Sequence, residues 1–406
     1  MRYLFGLCSL MLLLILINQP ASIIGEQSTN KIATKTYDYF METQSEWTRN
    51  ISDLNFSAPI EQQNSNATSQ IYFTQDHIKE ITSEGNNAIL KENYTANRRS
   101  TSQPPQIYPN LILNIYSAIV YIDRINIFAI NRSGKIIANG IAGKDDASVI
   151  QAAIDYVAPN YGSVYVASGI YSHSAKVNIK FGVSLIYEHG ARVIPASDID
   201  LFQLHPYTQL SGVTIDTTGI IYTHNCILLD GFDRFSLQNY KSTRIRDIEL
   251  EGNAGIGTGT AIYFSSQNNT SGYICGVIIE NTRIDQFEYG IKLYRTGHYG
   301  DNFINGNTFR SIQGYNTVYF ITMLNSGTPE SDLDGNAFRD INYQSGSNSV
   351  TAIKIGGRYN RIDATIWDWT VAGKAIVIQD GANENYIISN VDVENDGNPT
   401  NKIVEY

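Results

Sequence analysis

The sequence predicts an all-β chain, a parallel β-helix solenoid with one short capping α-helix at its N-terminal end. Three observations predict it. A unit of small residue, aliphatic, any residue and bulky apolar residue recurs from Cys226 onward. A second short apolar strand precedes each unit. Upstream, Asp145–Tyr171 reads as an amphipathic helix, a glycine turn and a first strand.

The units are Cys226-Ile227-Leu228-Leu229, Ala261-Ile262-Tyr263-Phe264, Gly290-Ile291-Lys292-Leu293, Thr317-Val318-Tyr319-Phe320, Ala352-Ile353-Lys354-Ile355, Ala375-Ile376-Val377-Ile378 and a truncated Lys402-Ile403-Val404. Their aliphatic positions step by 35, 29, 27, 35, 23 and 27 residues. A short minimum step with longer excursions is what a solenoid gives when some coils carry inserted loops. The preceding strands include Val277–Glu280 followed by Asn281, and the runs that begin at Asn307 and Asn336. Asn recurring at such turns can stack side-chain amides along the axis. Read residue by residue, a plain turn former is the better account of each.

A solenoid's first coil exposes an apolar end and an open strand edge. The Asp145 segment is suited to cover it. Val149, Ile150, Ala153, Ile154 and Val157 form one apolar stripe at helical spacing. Asp145 and Asp146 stand at the N-cap and first turn, and Pro159 ends the helix. After Gly162, alternation in Ser163–Ala167 marks a strand. Before the helix, Ala118–Arg124, Ile127–Asn131 and Lys135–Ala138 read as strands, with Asn131–Gly134 as a turn.

The 406-residue chain carries a net charge of −10 and only 17% charged residues. With no basic stripe to offset phosphate repulsion, it has no nucleic-acid partner by this reading. Arg2, the apolar run Leu4–Ile17 and the small residues Ala21, Ser22 and Gly25 have the layout of a secretory signal peptide over 1–25. The alternative is an uncleaved membrane anchor. Residues 26–111 are polar and aperiodic, and read as a glycan-bearing, loosely ordered stalk or else a small helical domain. Seven Asn-x-Ser/Thr sequons (Asn50, Asn55, Asn66, Asn93, Asn131, Asn268 and Asn269) fit an exported chain, secreted or at the cell surface. Beyond the leader only Cys226 and Cys275 remain, as one bridge or two buried thiols.

Asp145-Asp146-Ala147, Val149–Asp155 and Gly162–Tyr171 resemble the entry helix and first strand of the pectate lyase superfamily domain. Tyr161-Gly162 and Ala167-Ser168 depart from its Gly pair and its Phe/Pro-type residues. The resemblance implies a right-handed parallel β-helix over 112–406 and action on, or binding to, an extracellular polysaccharide. Fold alone does not choose among lyase, glycoside hydrolase and a non-catalytic adhesin or spacer.

An elongated sugar would lie on outward side chains of the central coils. Alternation gives an outward column of Leu228, Tyr263, Lys292, Tyr319, Lys354 and Val377, and beside it Asp230, Ser265, Tyr294, Ile321, Gly356 and Gln379. Tyr263, Tyr294, Tyr319 and Lys354 are thus the candidate sugar-binding residues, rings for pyranose faces and Lys for acidic groups. Lys292 and His298 are candidate bases, with Arg295 as charge neutraliser. Asp332 and Asp334 are candidate hydrolytic carboxylates or Ca²⁺ ligands; no other metal or cofactor is implied. Asp285, Glu288, Asp363 and Asp368 are carboxylates that the spacing alone does not raise. The polygalacturonase-type catalytic set is absent from the sequence. The expected partner is an acidic polysaccharide, and a homo-oligomer is compatible with the open C-terminal coil.

Overall fold

A computed structural model describes residues 115–236, 242–253, 255, 257–267, 272–296, 302–326, 332–395 and 398–406. The leader and stalk expected over 1–111 lie outside the described residues. Three strands, β1 (Ala118–Asp123), β2 (Asn126–Asn131) and β3 (Ile136–Ile141), form an antiparallel meander. The turn from β2 is closed by Asn131, whose Oδ1 accepts the backbone N–H groups of Ser133 and Lys135. The other edge of β1 joins the solenoid: Ala118 pairs in parallel with Val164.

Helix α1 (Asp146–Val157) buries the expected stripe of Val149, Ile150, Ala153, Ile154 and Val157 against β1–β3 and the first strands of the solenoid. Its start differs from the sequence reading. Asp145 is the N-cap residue, yet its carboxylate accepts the Ile141 N–H at 2.8 Å instead of capping the helix. Asp146 is fully buried and accepts N–H groups from Gly143 and Ser172, tying the helix to the first strands. Residue 140 must be glycine, because a Cβ there would stand 2.5 Å from Asp145 Cβ. The helix passes at Val157 into a 3₁₀ turn holding Pro159, and left-handed Tyr161 ends it.

From Ser163 onward the chain winds a parallel β-helix. Among the described residues, sixteen strands form a long sheet that includes the meander, nine form a second sheet, and one pair stands apart. A central coil shows the plan. Thr308–Tyr315 runs in the long sheet, Asn316–Val318 turns, and Tyr319–Ser326 runs in the second sheet. The long-sheet strands bend midway at left-handed Asp247, Asn281, Ser311 and Asp340, with φ of 56°, 50°, 53° and 54°. Each coil therefore gives the long sheet two limbs. The residues fit: short polar side chains tolerate this backbone better than branched ones.

Inward side chains stack coil on coil. Ile227, Ile262, Ile291, Ile321, Ile353 and Ile376 are in register and buried, each worth roughly 1.5–3 kcal/mol of burial. Two repeat units are thereby corrected. Ile321, not Val318, occupies the fourth aliphatic position, and Ile403 pairs with Ile387 in the long sheet. The first correction has a steric cause. Bulky Phe320 takes the place of the small residue, over Gly290, and its ring fills the space beside Gly314.

One edge of the long sheet is bound by an asparagine ladder. Asn307, Asn336, Asn360, Asn385 and Asn401 each bond to the next through side-chain Oδ1 accepting a backbone N–H at 2.8–3.1 Å. Their Nδ2 groups satisfy turn carbonyls such as Leu333 O, at 2.8 Å from Asn360. Asn307 and Asn336 stack, which corrects the plain turn role that the sequence favours for them. Asn281 does not: it lies at the bend, exposed, donating to Asp247. Cys226 is a buried thiol, and the Cys275 Sγ donates to Phe235 O at 3.2 Å.

Candidate functional site

The second sheet carries part of the expected outward column. Tyr263 pairs with Lys292, and Lys354 follows two strands on, but Thr322 stands between them where Tyr319 was expected. Tyr319 lies in another column beside Tyr289, the rings stacked at 5.2 Å. The Phe320 substitution that displaced the repeat by three residues explains the error. In the adjacent column Tyr294 faces Leu324, while Ile321 points inward and is buried.

Lys292 is wrapped by aromatic rings. Its Nζ lies 4.0 Å from the Tyr289 ring centroid, 5.6 Å from Tyr263 and 5.8 Å from Tyr294. Burial pushes its ammonium below the ordinary lysine range, against the pull of Glu288. Burial likewise raises the Tyr263 and Tyr289 hydroxyls. This sheet offers a ring surface with a cation already engaged.

The remaining predicted cluster is corrected. Arg295 does not project outward: it is fully buried, donating to Asn302 O, Asn325 Oδ1 and Asp332 Oδ2, the last at 2.6 Å. Asp332 is buried with it. A guanidinium in this interior must be paired, and Asp332 pairs it. Asp334 accepts the Arg358 backbone N–H at 2.9 Å and its guanidinium at 3.2 Å, holding a turn. Both described carboxylates of that loop are thus engaged by arginine. Among the described residues no group of three acidic, His or Cys side chains could hold a metal. His298 lies outside the described residues.

The long sheet presents a different arrangement on the outward side of its second limb. Asp216, Glu251, Asp285, Tyr315, Gln344 and Trp367 follow one another in strict register, one per coil. Beside them runs Arg192, Thr214, Glu249, Arg283, Gln313, Asn342 and Thr365. At about 4.8 Å per strand, the first column is roughly 24 Å long. One end is charged. Arg192 contacts Asp216 at 2.6 Å and Glu251 at 3.2 Å, and Arg283 contacts Asp285 at 2.7 Å. The other end is uncharged and aromatic, with Tyr315 41% and Trp367 55% exposed.

The carboxylates are not equivalent. Burial raises Asp285 above the usual carboxylate range; Arg283 opposes this and Glu249 adds to it. Asp285 Oδ1 is buried without a hydrogen-bond partner. Burial also acts on Asp216, but hydrogen bonds from Thr218 and Arg192 outweigh it and hold the carboxyl low. Environments that push two carboxylates apart in one column are suited to acid–base work. Sequence reading passed over Asp285. The signal was present as Thr214-Ile215-Asp216, Glu249-Leu250-Glu251 and Arg283-Ile284-Asp285, an inward aliphatic flanked by polar residues.

No family model matches the sequence, and no curated protein matches it. Among solved structures, the chain is similar to a tailspike protein of an Escherichia coli bacteriophage in complex with a hexasaccharide, at TM-score 0.38 and 12% identity. That match covers 67% of this chain and 62% of the tailspike, so the chain spans less than two thirds of its length. The A-module of an Azotobacter vinelandii mannuronan C-5 epimerase aligns at TM-score 0.28 and 14% identity, over 65% of this chain and 93% of that one. A surface adhesin of Streptococcus pneumoniae aligns at TM-score 0.26 and 13% identity, over 64% and 80%.

Proposed function

We propose that this chain is an exported, right-handed β-helix of the pectate lyase superfamily type that binds a polysaccharide along the second-limb strip and hydrolyses it at the carboxylate end. The observation that supports this is the unbroken column from Asp216 to Trp367, in which carboxylates of unlike environment pass directly into exposed aromatic rings. Rings stack on pyranose faces, and the amides of Gln313, Asn342 and Gln344 suit sugar hydroxyls. In this reading Asp285, whose carboxyl pKa burial raises, is the acid toward the glycosidic oxygen. Asp216, kept ionised, removes the proton of the attacking water, with Glu251 between them. Export rests on Arg2 and the apolar run that follows it.

A non-catalytic adhesin is the second reading. It is favoured by the arginines, since Arg192 and Arg283 already engage Asp216, Glu251 and Asp285. Incubation of the secreted chain with a bound polysaccharide separates the two: new reducing ends support hydrolysis, and tight binding with no product leaves the adhesin. An unsaturated, ultraviolet-absorbing product would instead require lyase chemistry and remove the carboxylate roles.

A further inference from the structure

Resting on the binding reading above, we infer that the strip selects neutral glycans and rejects uronate-rich ones. The argument is one of charge. At the polar end four carboxylates, Asp216, Glu249, Glu251 and Asp285, face two arginines, and both arginines are already in ion pairs with three of those carboxylates. At the aromatic end the outward residues of both columns are Tyr315, Gln344, Trp367, Gln313, Asn342 and Thr365, none of them charged. The ionic groups hydrogen-bonded to these side chains are again acidic. Asp368 accepts from Gln344 at 3.0 Å, and Asp340 accepts from Asn342 at 3.0 Å.

The remaining arginines of these strands lie elsewhere. Arg246, Arg310 and Arg339 belong to the first limb, on the far side of the left-handed bend, and Arg310 is spent on Glu280. Lys354, the lysine expected to hold an acidic group, and Lys292 are both on the second sheet, Lys292 within its cage of rings. A uronan laid along the strip would bring one carboxylate per acidic sugar against a surface of like charge, with no described cation left to receive it. A neutral chain loses nothing by that charge and gains the rings and amides.

The test is a printed array of neutral and uronate-containing polysaccharides, probed with the secreted full-length chain and with Glu249→Gln. Glu249 is exposed, its described hydrogen bond is from Thr214 at 3.4 Å, and it is not a partner in the Arg192 and Arg283 ion pairs, so its replacement leaves those pairs in place. The expected result is binding confined to neutral glycans, at least tenfold above polygalacturonate, alginate and hyaluronan, with Glu249→Gln narrowing the gap. Uronans bound as strongly as neutral chains, and weakened by Trp367→Ala, would overturn the selectivity while leaving the binding face intact. Binding to no glycan of either class, or neutral binding indifferent to Trp367→Ala, would overturn the binding face and the selectivity together.

Discussion

Arg283 and Asp285 stand two residues apart on one strand, both outward, with guanidinium and carboxylate 2.7 Å apart. The pair sits at the junction of the charged and aromatic ends of the strip, because Asp285 is in register with Tyr315. Asp285→Asn should therefore abolish release of reducing ends while changing glycan affinity by no more than about twofold, since the rings of Tyr315 and Trp367 are untouched. Hydrolysis by the unaltered chain should decline toward alkaline pH, where the raised Asp285 carboxyl loses its proton. Reducing-end assays across pH on both proteins check this. Undiminished turnover in the variant would remove Asp285 from the mechanism.

Arg295 and Asp332 serve the fold. Arg295→Ala removes the buried guanidinium that Asp332 faces and should cost about 3–5 kcal/mol, whereas a paired Arg295→Met, Asp332→Leu change should cost much less. Urea denaturation of the three proteins measures this. Glycan affinity of any variant that folds should be unaltered.

The asparagine ladder gives a contrast within one residue type. Asn360→Ala strands the Leu333 and Gly356 carbonyls and the Asn336 N–H, and should destabilise by about 2–3 kcal/mol. Asn281→Ala, at the exposed bend, should stay within about 0.5 kcal/mol of the parent or a little beyond it through loss of a left-handed-tolerant residue. Chemical denaturation distinguishes them.

His173 supplies a pH signature. It is fully buried against Phe202, neither ring nitrogen has a described partner, and burial lowers its pKa to about 3. The unfolded chain takes up the proton near the ordinary value of about 6.5. Above that pH the residue adds no pH dependence. As pH falls from there toward about 3, the unfolded state gains a proton that the native state refuses, and stability drops by up to about 1.4 kcal/mol per unit. His173→Leu should remove that slope and raise stability at pH 5. An unchanged slope between pH 4 and 6.5 would show that His173 is not the group responsible.

The fold was legible because its signals are local and repeated. Helix α1, the β1–β3 meander and most of the inward isoleucines follow from periodicity and turn chemistry. What failed was register wherever a large residue replaced a small one, as Phe320 does over Gly290, shifting Tyr319 out of its assigned column. A shift of that kind also hides the site. Which outward residues share a column depends on coil lengths, and the coils here vary with their loops. Arg295 misled for a different reason. Charge in a polar segment suggests solvent, and only the fold reveals a buried partner 37 residues away. Asp285 was passed over because a lone carboxylate says nothing until Glu251 and Tyr315 are placed on either side of it.

The account stands on the second limb of the long sheet, not the ring surface of the second sheet, as the glycan-binding face. Isothermal titration of a bound oligosaccharide into the parent chain, Tyr315→Ala/Trp367→Ala and Tyr263→Ala/Lys292→Ala tests that most directly. With about 1 kcal/mol lost per stacking ring, the first double variant should bind about thirtyfold more weakly and the second should match the parent. The reverse pattern, parent-like affinity in Tyr315→Ala/Trp367→Ala and a large loss in Tyr263→Ala/Lys292→Ala, would contradict it and return the site to the second sheet.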